Sequence, residues 1–254
     1  MTTQAEKAQA LKALMIPGDP LILYNIWDAG TAKAAAKAGA KAIATGSWSV
    51  AAAQGYPDGH EIPLDLLLTI TTRIAATCEL PLSVDFEGGY ATAPADLATN
   101  VTSLMRAGAV GINFEDQIVG GEGLHETAAQ AKRIEALRAA AEAEHLLLVI
   151  NARTDLFLKS KDHGSQIAEA KTRAKAYAEA GATSFFIPGL TDLALITEIT
   201  EASPLPVNVM AKPGLPPLAD LKKAKVARIS HGPGPYATAM AAFTEATEHA
   251  LKGT

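Results

Sequence analysis

Three stretches of the chain repeat one hydrophobic–polar pattern: AKAGAKAIATG from Ala36, MRAGAVGINFE from Met105 and AEAGATSFFIP from Ala178. In each, an Ala-rich amphipathic segment ends at a glycine (Gly39, Gly108, Gly181) and an apolar run begins at once. A glycine just past a helix suits the left-handed C′ position, so each repeat predicts a helix, a stop and a strand. The glycines recur at even intervals, with room between each pair for two strand–helix units. Apolar runs at 21–27, 41–47, 81–87, 111–116, 146–155, 184–189, 206–212 and 226–232 fill that scheme. Eight short strands alternating with helices predict an α/β protein with a parallel sheet, and the number points to a closed (β/α)8 TIM barrel. An open doubly wound sheet is the alternative, but no G-x-G-x-x-G follows the first run. With no linker and no second compositional region, residues 1–254 are expected to form a single barrel domain ending in a helix near 236–252.

Functional residues of such a barrel belong at strand C-termini, on side chains facing the mouth, and strand alternation sorts them. Leu82, Val84 and Phe86 are apolar and belong against the helices, leaving Ser83, Asp85 and Glu87 inside. By the same parity, Ile112 and Phe114 face out while Asn113 and Glu115 face in. Ile150 and Ala152 face out while Asn151 and Arg153 face in.

Composition narrows the partners. With 254 residues, 48% of them hydrophobic, the chain can bury a large core, and its net charge of −5 argues against a nucleic-acid partner. The sole cysteine, Cys78, excludes an intrachain disulfide and a thiolate metal cluster. The segment MTTQAEKAQALKAL is polar and amphipathic, unlike a signal peptide, and no apolar run approaches the ~18 residues of a membrane span. The expectation is a cytoplasmic protein with a small-molecule substrate and no nucleic-acid or membrane partner.

Adjacent strands thus aim Asp85, Glu87 and Glu115 into one mouth. Two such charges ~4 Å apart repel by roughly 4 kcal/mol at an effective dielectric near 20, so either some are protonated or a cation sits among them. An oxygen-only donor set suits Mg2+, with Mn2+ as an alternative, and disfavours Zn2+. Structural ion pairs with Arg153 or Lys212 are the competing reading, but three acids outnumber the bases.

The segments NIWDAG, IATGSWSVAAAQGYPDGHE, VDFEGGY, AVGINFED and INARTD, in this order across roughly 15–235, resemble the isocitrate lyase/phosphoenolpyruvate mutase superfamily. The resemblance implies a (β/α)8 barrel, a homo-oligomer (dimer or tetramer) with an exchanged C-terminal helix, and a Mg2+-dependent lyase or mutase. The substrate would be a small 2-oxo or enol carboxylate of the pyruvate, phosphoenolpyruvate or oxaloacetate kind. A C–C or P–C bond would be broken or rearranged through a metal-stabilised enolate. By that resemblance Asp85 contacts the metal directly, while Asp58, Glu87 and Glu115 hold it largely through water. Gly46, Ser47 and Trp48 grip the substrate carboxylate through backbone N–H groups. Arg153 binds that carboxylate or stabilises the enolate.

The chain departs from the resemblance in the part that selects the reaction. Lyases of this superfamily carry Lys-Lys-Cys-Gly-His after the fourth strand, with the cysteine as acid; here the loop reads EDQIVGGEGLHE, without Cys or Lys. Cys78 precedes the third strand, at the opposite end of the barrel. The Lys or Asn that mutases and hydrolases use is missing too, and FFIPGL lacks the lyase Glu on strand six. This argues against methylisocitrate or isocitrate lyase activity. GGEG (Gly120–Gly123) reads as a mobile lid or a plain connection, with Glu122 and His125 as candidate acids or surface residues. His231 precedes GPGPY, where barrels bind phosphate, although Pro233 and Pro235 lack N–H groups. Trp27 and Trp48 read as pocket walls or core, and Asp116 and Asp155 as structural. A catalytically inactive barrel that binds a dicarboxylate or 2-oxo acid, and a Schiff-base aldolase through Lys212, are the rival functions.

Overall fold

The structure is a computed structural model, which describes residues 2–253. Eight strands follow one another in the chain: β1 Leu21–Leu23, β2 Ile43–Ala44, β3 Leu82–Asp85, β4 Gly111–Glu115, β5 Val149–Arg153, β6 Ser184–Phe186, β7 Val207–Met210 and β8 Arg228–Ser230. All ladders are parallel, in the order β1-β8-β7-β6-β5-β4-β3-β2. The seam between β1 and β2 is drawn together by one parallel bridge, Ile26 to Thr45, with the Ile26 N–H donating to the Ala44 carbonyl at 2.8 Å. Helices alternate with the strands, as expected of a (β/α)8 barrel. Every one of the eight predicted strands is present, each shorter than its apolar run. Barrel strands tilt, so neighbours leave register after a few residues while apolar side chains go on packing beyond the ladder.

The three repeat glycines have φ of 92°, 108° and 97°, the left-handed conformation that stops each helix. Leu82, Val84, Phe86, Ile112, Phe114, Ile150 and Ala152 are all buried in the layer between sheet and helices, with Leu97, Leu104, Ile134 and Leu137 from the helices. The barrel interior is polar instead. Asn151 Nδ2 donates to Asn113 Oδ1 at 2.8 Å and to Asn208 Oδ1 at 2.9 Å, and Ser184 Oγ donates to Asn151 Oδ1 at 2.6 Å. Cross-strand pairing of these amides supplies the hydrogen bonds that burial demands. Arg228 completes the plug, fully buried, with Nη2 donating to Asn113 Oδ1 at 3.1 Å.

The last helix, Gly234–Lys252, stands away from the barrel: Pro235 is its only buried residue, and Phe243 and Leu251 are 69% and 83% exposed. Correspondingly, the outer side of β1 leaves Ile22 and Tyr24 exposed, beside a groove of about 480 Å3 lined also by Leu14, Ile16 and Ala35.

Candidate active site

The C-terminal ends of β3, β4 and β5 lie side by side, with Asp85 in register with Asn113 and Glu115 in register with Arg153. Parity places the four side chains as the sequence predicts. Asp85 is held from β2: its N–H donates to Thr45 Oγ1 at 2.9 Å, and its Oδ2 accepts the Ser47 N–H at 3.1 Å. Ser47 opens the short helix Ser47–Ala53, with Gly46 as its N-cap. The other oxygen, Oδ1, is buried and has no hydrogen-bond partner.

Glu87 sits just past β3 at φ +49°, and Tyr90 follows at +56°; His60, facing them from the loop before the helix Leu64–Thr77, is at +63°. Three non-glycine residues in the left-handed region, gathered at one place, mark a locally strained site. The strain is held by hydrogen bonds. Glu87 Oε2 accepts the His60 N–H at 2.9 Å, Oε1 accepts the Tyr90 hydroxyl at 3.3 Å, and the Gly88 N–H donates to His60 Nε2 at 3.0 Å. Burial pushes His60 down to about 4, so its ring is neutral, stacked on Tyr90 at 4.5 Å. Gly89, at φ +81°, lets the turn pass so close that a Cβ there would strike Leu97 and meet Phe114 at 3.0 Å.

Glu115 and Arg153 form a buried pair, Oε2 to Nη1 at 2.9 Å. Asp155 grips the same guanidinium from its other edge, Oδ1 to Nε at 2.6 Å and Oδ2 to Nη2 at 2.9 Å. Burial works against the charge on Arg153, but Glu115 and Asp155 outweigh it and keep the guanidinium ionised. Asp155 is itself fixed: its N–H donates to Asp116 Oδ1 at 3.0 Å, and Asp116 Oδ2 accepts from Arg173 and Tyr177, each at 2.9 Å. A cavity of about 200 Å3 opens between these groups, lined by Gly46, Ser47, Trp48, Asp58, Asp85 and Arg153, and across from them by Phe186, Met210 and Pro233. Glu87 and Glu115 lie buried behind its wall.

Residues 11–251 match the phosphoenolpyruvate phosphomutase family. The chain belongs to that family. A structure from Burkholderia cenocepacia J2315, provisionally described as a phosphonomutase, is 45% identical, with TM-score 0.93 over 96% of this chain and 99% of that one. The 2-methylisocitrate lyase of Escherichia coli (strain K12) is 31% identical, over 95% of this chain and 82% of its own. The oxaloacetate decarboxylase of Paraburkholderia xenovorans (strain LB400) is 28% identical, over 100% and 84%. Relatives of this chain are lyases and mutases of small carboxylates, and it is an enzyme of the isocitrate lyase/phosphoenolpyruvate mutase superfamily.

The donor set of this family member suits a hard cation. Asp85 Oδ1 is a buried carboxylate oxygen left free, and no His or Cys lines the cavity it borders. Among the described residues no three acid, His or Cys side chains come together as a group that could hold a metal ion by themselves. Burial, then the charges of Asp85 and Asp58, raise Glu87 to about 7. Burial raises Glu115 too, against the pull of Arg153. Asp58 is raised by burial and by Asp85; the residue is exposed on its loop while its carboxyl faces the cavity.

These shifts have a sign. A carboxyl raised from its ordinary 4.5 to about 7 favours the folded state fully below 4.5 and loses that contribution as pH climbs through 7. For Glu87 this amounts to at most roughly 3 kcal/mol. Metal-free protein should therefore lose melting temperature between about pH 5 and 7.5, and Glu87→Gln should lose less. A divalent cation bound among these acids would compete with the same protons, so its affinity should rise over that range, with proton release visible by calorimetry in two buffers. A pH-independent affinity would remove the acids from the metal's surroundings.

Of the other sequence candidates, Trp48 lines the cavity, whereas Trp27 lines a neighbouring groove; both rings meet Tyr236 edge-on, at 5.7 and 5.0 Å. Lys212 is exposed: β7 ends at Met210, so strand parity does not carry it inward. His231 turns its ring to Tyr24, 5.2 Å away, outside the cavity. Glu122 is exposed on a loop pinned at its base by the Gln117–Leu124 bridge, and His125 lines a separate cavity with His60 and Arg133. Asp155, read as structural, turns out to aim Arg153. Tyr90, His60 and Arg228 were not singled out. Tyr90 was legible in VDFEGGY, but nothing local in the sequence marks His60 or Arg228.

Proposed function

We propose that this chain is a Mg2+-dependent enzyme acting on a small 2-oxo or enol carboxylate, breaking or rearranging the bond beside the enolate carbon. The observation that carries the reading is the pairing, in one cavity of about 200 Å3, of a free buried Asp85 oxygen with an aimed, permanently charged Arg153. Asp85 would hold the metal directly, with Asp58, Glu87 and Glu115 holding it largely through water. The metal, Mg2+ or alternatively Mn2+, would supply Lewis-acid charge stabilisation. Gly46, Ser47 and Trp48 position the substrate carboxylate with backbone N–H groups. Arg153 presents a rigid fork to the oxygen on which charge develops, already oriented by Asp155. Trp48, Phe186 and Met210 exclude water.

Oxalate, a planar stand-in for the enolate of pyruvate, tests this directly. Calorimetry should show binding with Mg2+ and none with EDTA. Absence of binding in both conditions would leave the acids with a structural role only.

One observation favours a second reading, a binder of dicarboxylates or 2-oxo acids with no turnover. The cavity wall holds no Cys, Lys or His, and the two candidate acids of the loop, Glu122 and His125, do not line it. Mg2+-assisted binding without product from any 2-oxo or phosphono acid would support it, and turnover of one would reject it.

The chain is also proposed to act as a homo-oligomer, a dimer or tetramer in the cytoplasm, with its C-terminal helix exchanged between barrels. The exposed apolar side chains of Gly234–Lys252 and the uncovered Ile22 and Tyr24 support this. Deleting residues 236–254 should shift the particle to monomer mass by light scattering and expose apolar surface to dye. An unchanged mass would rule out the exchange.

A further inference from the structure

Besides its charged groups, the cavity wall carries the amide and hydroxyl side chains of Asn25, Ser47, Ser49, Asn113 and Ser230. Most are already engaged. Asn25 Nδ2 donates to the Thr45 carbonyl at 2.8 Å, and its Oδ1 accepts the N–H groups of His231 and Gly232 at 2.8 and 3.0 Å. Ser230 Oγ donates to Asn208 Oδ1 at 3.2 Å, and the Ser47 hydroxyl favours the ionised Asp58. Ser49 Oγ is buried without a partner, but a hydroxyl turns freely and either donates or accepts.

Asn113 is different, because the fold decides which end of its amide is free. Its Oδ1 accepts from Asn151 Nδ2 at 2.8 Å and from Arg228 Nη2 at 3.1 Å. A guanidinium only donates, so the atom facing Arg228 must be the oxygen and the amide cannot turn over. The next amides are locked in the same sense. Asn208 Nδ2 donates to the main-chain carbonyls of Val209 and Arg228 at 2.7 and 3.1 Å, which leaves its Oδ1 for Asn151. The Nδ2 of Asn113 is left over, with no acceptor among the described residues, on a side chain that lines the cavity level with Asp85. Interior amides that serve only packing have their N–H groups paired. Arg228, for its part, is wholly buried with Nε and Nη1 unpartnered, a cost that packing alone does not repay.

We propose that Asn113 is a substrate-binding residue whose Nδ2 donates to an oxygen of the bound 2-oxo or enol carboxylate, and that Arg228 is the positioning residue that holds the amide this way round. This rests on the enolate-site reading above and adds a neutral donor to the charged pair of Asp85 and Arg153. A fixed N–H meets an oxygen on which charge develops without placing a further cation beside the metal.

Two substitutions separate the donor from the shape. Asn113→Asp keeps an acceptor for Asn151 and Arg228 and removes the N–H, and Asn113→Thr does so without adding charge. By calorimetry on the full-length protein, both should bind Mg2+ alone at least as tightly as wild type, within about threefold, and oxalate with Mg2+ at least tenfold more weakly. Arg228→Lys still donates to Oδ1 and should keep oxalate within about threefold, whereas Arg228→Gln offers an acceptor, frees the amide to turn and should lose oxalate as Asn113→Thr does. A merely structural role would lower melting temperature and leave the ratio of Mg2+ to oxalate affinity unmoved. A crystal structure of the wild-type protein with Mg2+ and oxalate, which depends on no variant, should place an oxalate oxygen about 3 Å from Nδ2. Oxalate bound through Mg2+ with no oxygen at Nδ2, or bound by Asn113→Thr as by wild type, would overturn the proposal and spare the enolate site. Failure of the wild type to bind oxalate would remove both.

Discussion

Asp85→Ala should lose Mg2+-dependent oxalate binding by at least about 100-fold, roughly 3 kcal/mol, while the protein stays folded. Two physical effects separate here. Truncation removes the one cavity carboxylate that is both on a rigid strand end and left with a free oxygen. It also withdraws a buried charge that raises Glu87 and Asp58. A residue serving the fold would destabilise it when removed. A residue serving a ligand sits in a site that costs stability, so the metal-free Asp85→Ala protein should melt no lower than wild type, apart from the lost contact with the Ser47 N–H and the lost charge that favours the ionised Arg228 and Arg153. Glu87 should titrate lower in the variant, shrinking the pH dependence of melting. Wild-type oxalate affinity in Asp85→Ala would end the metal assignment, and a collapse in melting temperature with metal absent would make Asp85 a structural group.

How much of this site the sequence makes legible follows from which contacts are local. Alternation along VDFEGGY and AVGINFED places Asp85 and Glu115 inside, because the other face of each strand is apolar, whereas Glu87 lies past β3 at φ +49° and is carried to the site by the turn that follows. The barrel itself is legible from three helix-stopping glycines, since a positive φ leaves a mark in residue type. The second layer of the site is not written locally. Asp155 reaches Arg153 two residues away, but its own anchoring to Asp116, Arg173 and Tyr177 spans separate strands and helices. The grip of His60 on Glu87 crosses 27 residues, and Arg228 meets Asn113 across the barrel. Parity also has a limit, as Lys212 shows: alternation describes a side chain only while its residue is in the ladder.

The strain at Glu87 and Tyr90 fits the same division. Neither residue type favours φ near +50°, so no propensity argument predicts them there. The conformation persists because Gly88 and Gly89 allow a turn tight enough for His60 and Tyr90 to stack and for both to hold one carboxylate. Local rules are broken where the acids are brought together, which is where a cost in stability has a use.

Arg153 is the other residue whose loss should be severe, and here stability and binding fall together. Its guanidinium is the counter-charge to two carboxylates, Glu115 and Asp155, 5% and 0% exposed. Arg153→Met leaves both without a partner, and breaking a buried pair from one side costs about 3–5 kcal/mol. The loss should grow with pH. Burial already raises Glu115, and without Arg153 the proton becomes its remaining means of neutralisation, so the variant should be closest to wild type in acid and weakest in alkali. Arg153→Lys keeps a charge but gives up the two-point grip on Asp155, whose bonds at 2.6 and 2.9 Å aim the fork. It should fold, yet bind oxalate with Mg2+ at least tenfold more weakly. Melting curves from about pH 5.5 to 8.5 on both variants, beside oxalate titrations, decide the matter. If Arg153→Lys binds oxalate as wild type does, the guanidinium only balances charge, and orientation of the ligand must come from elsewhere in the cavity.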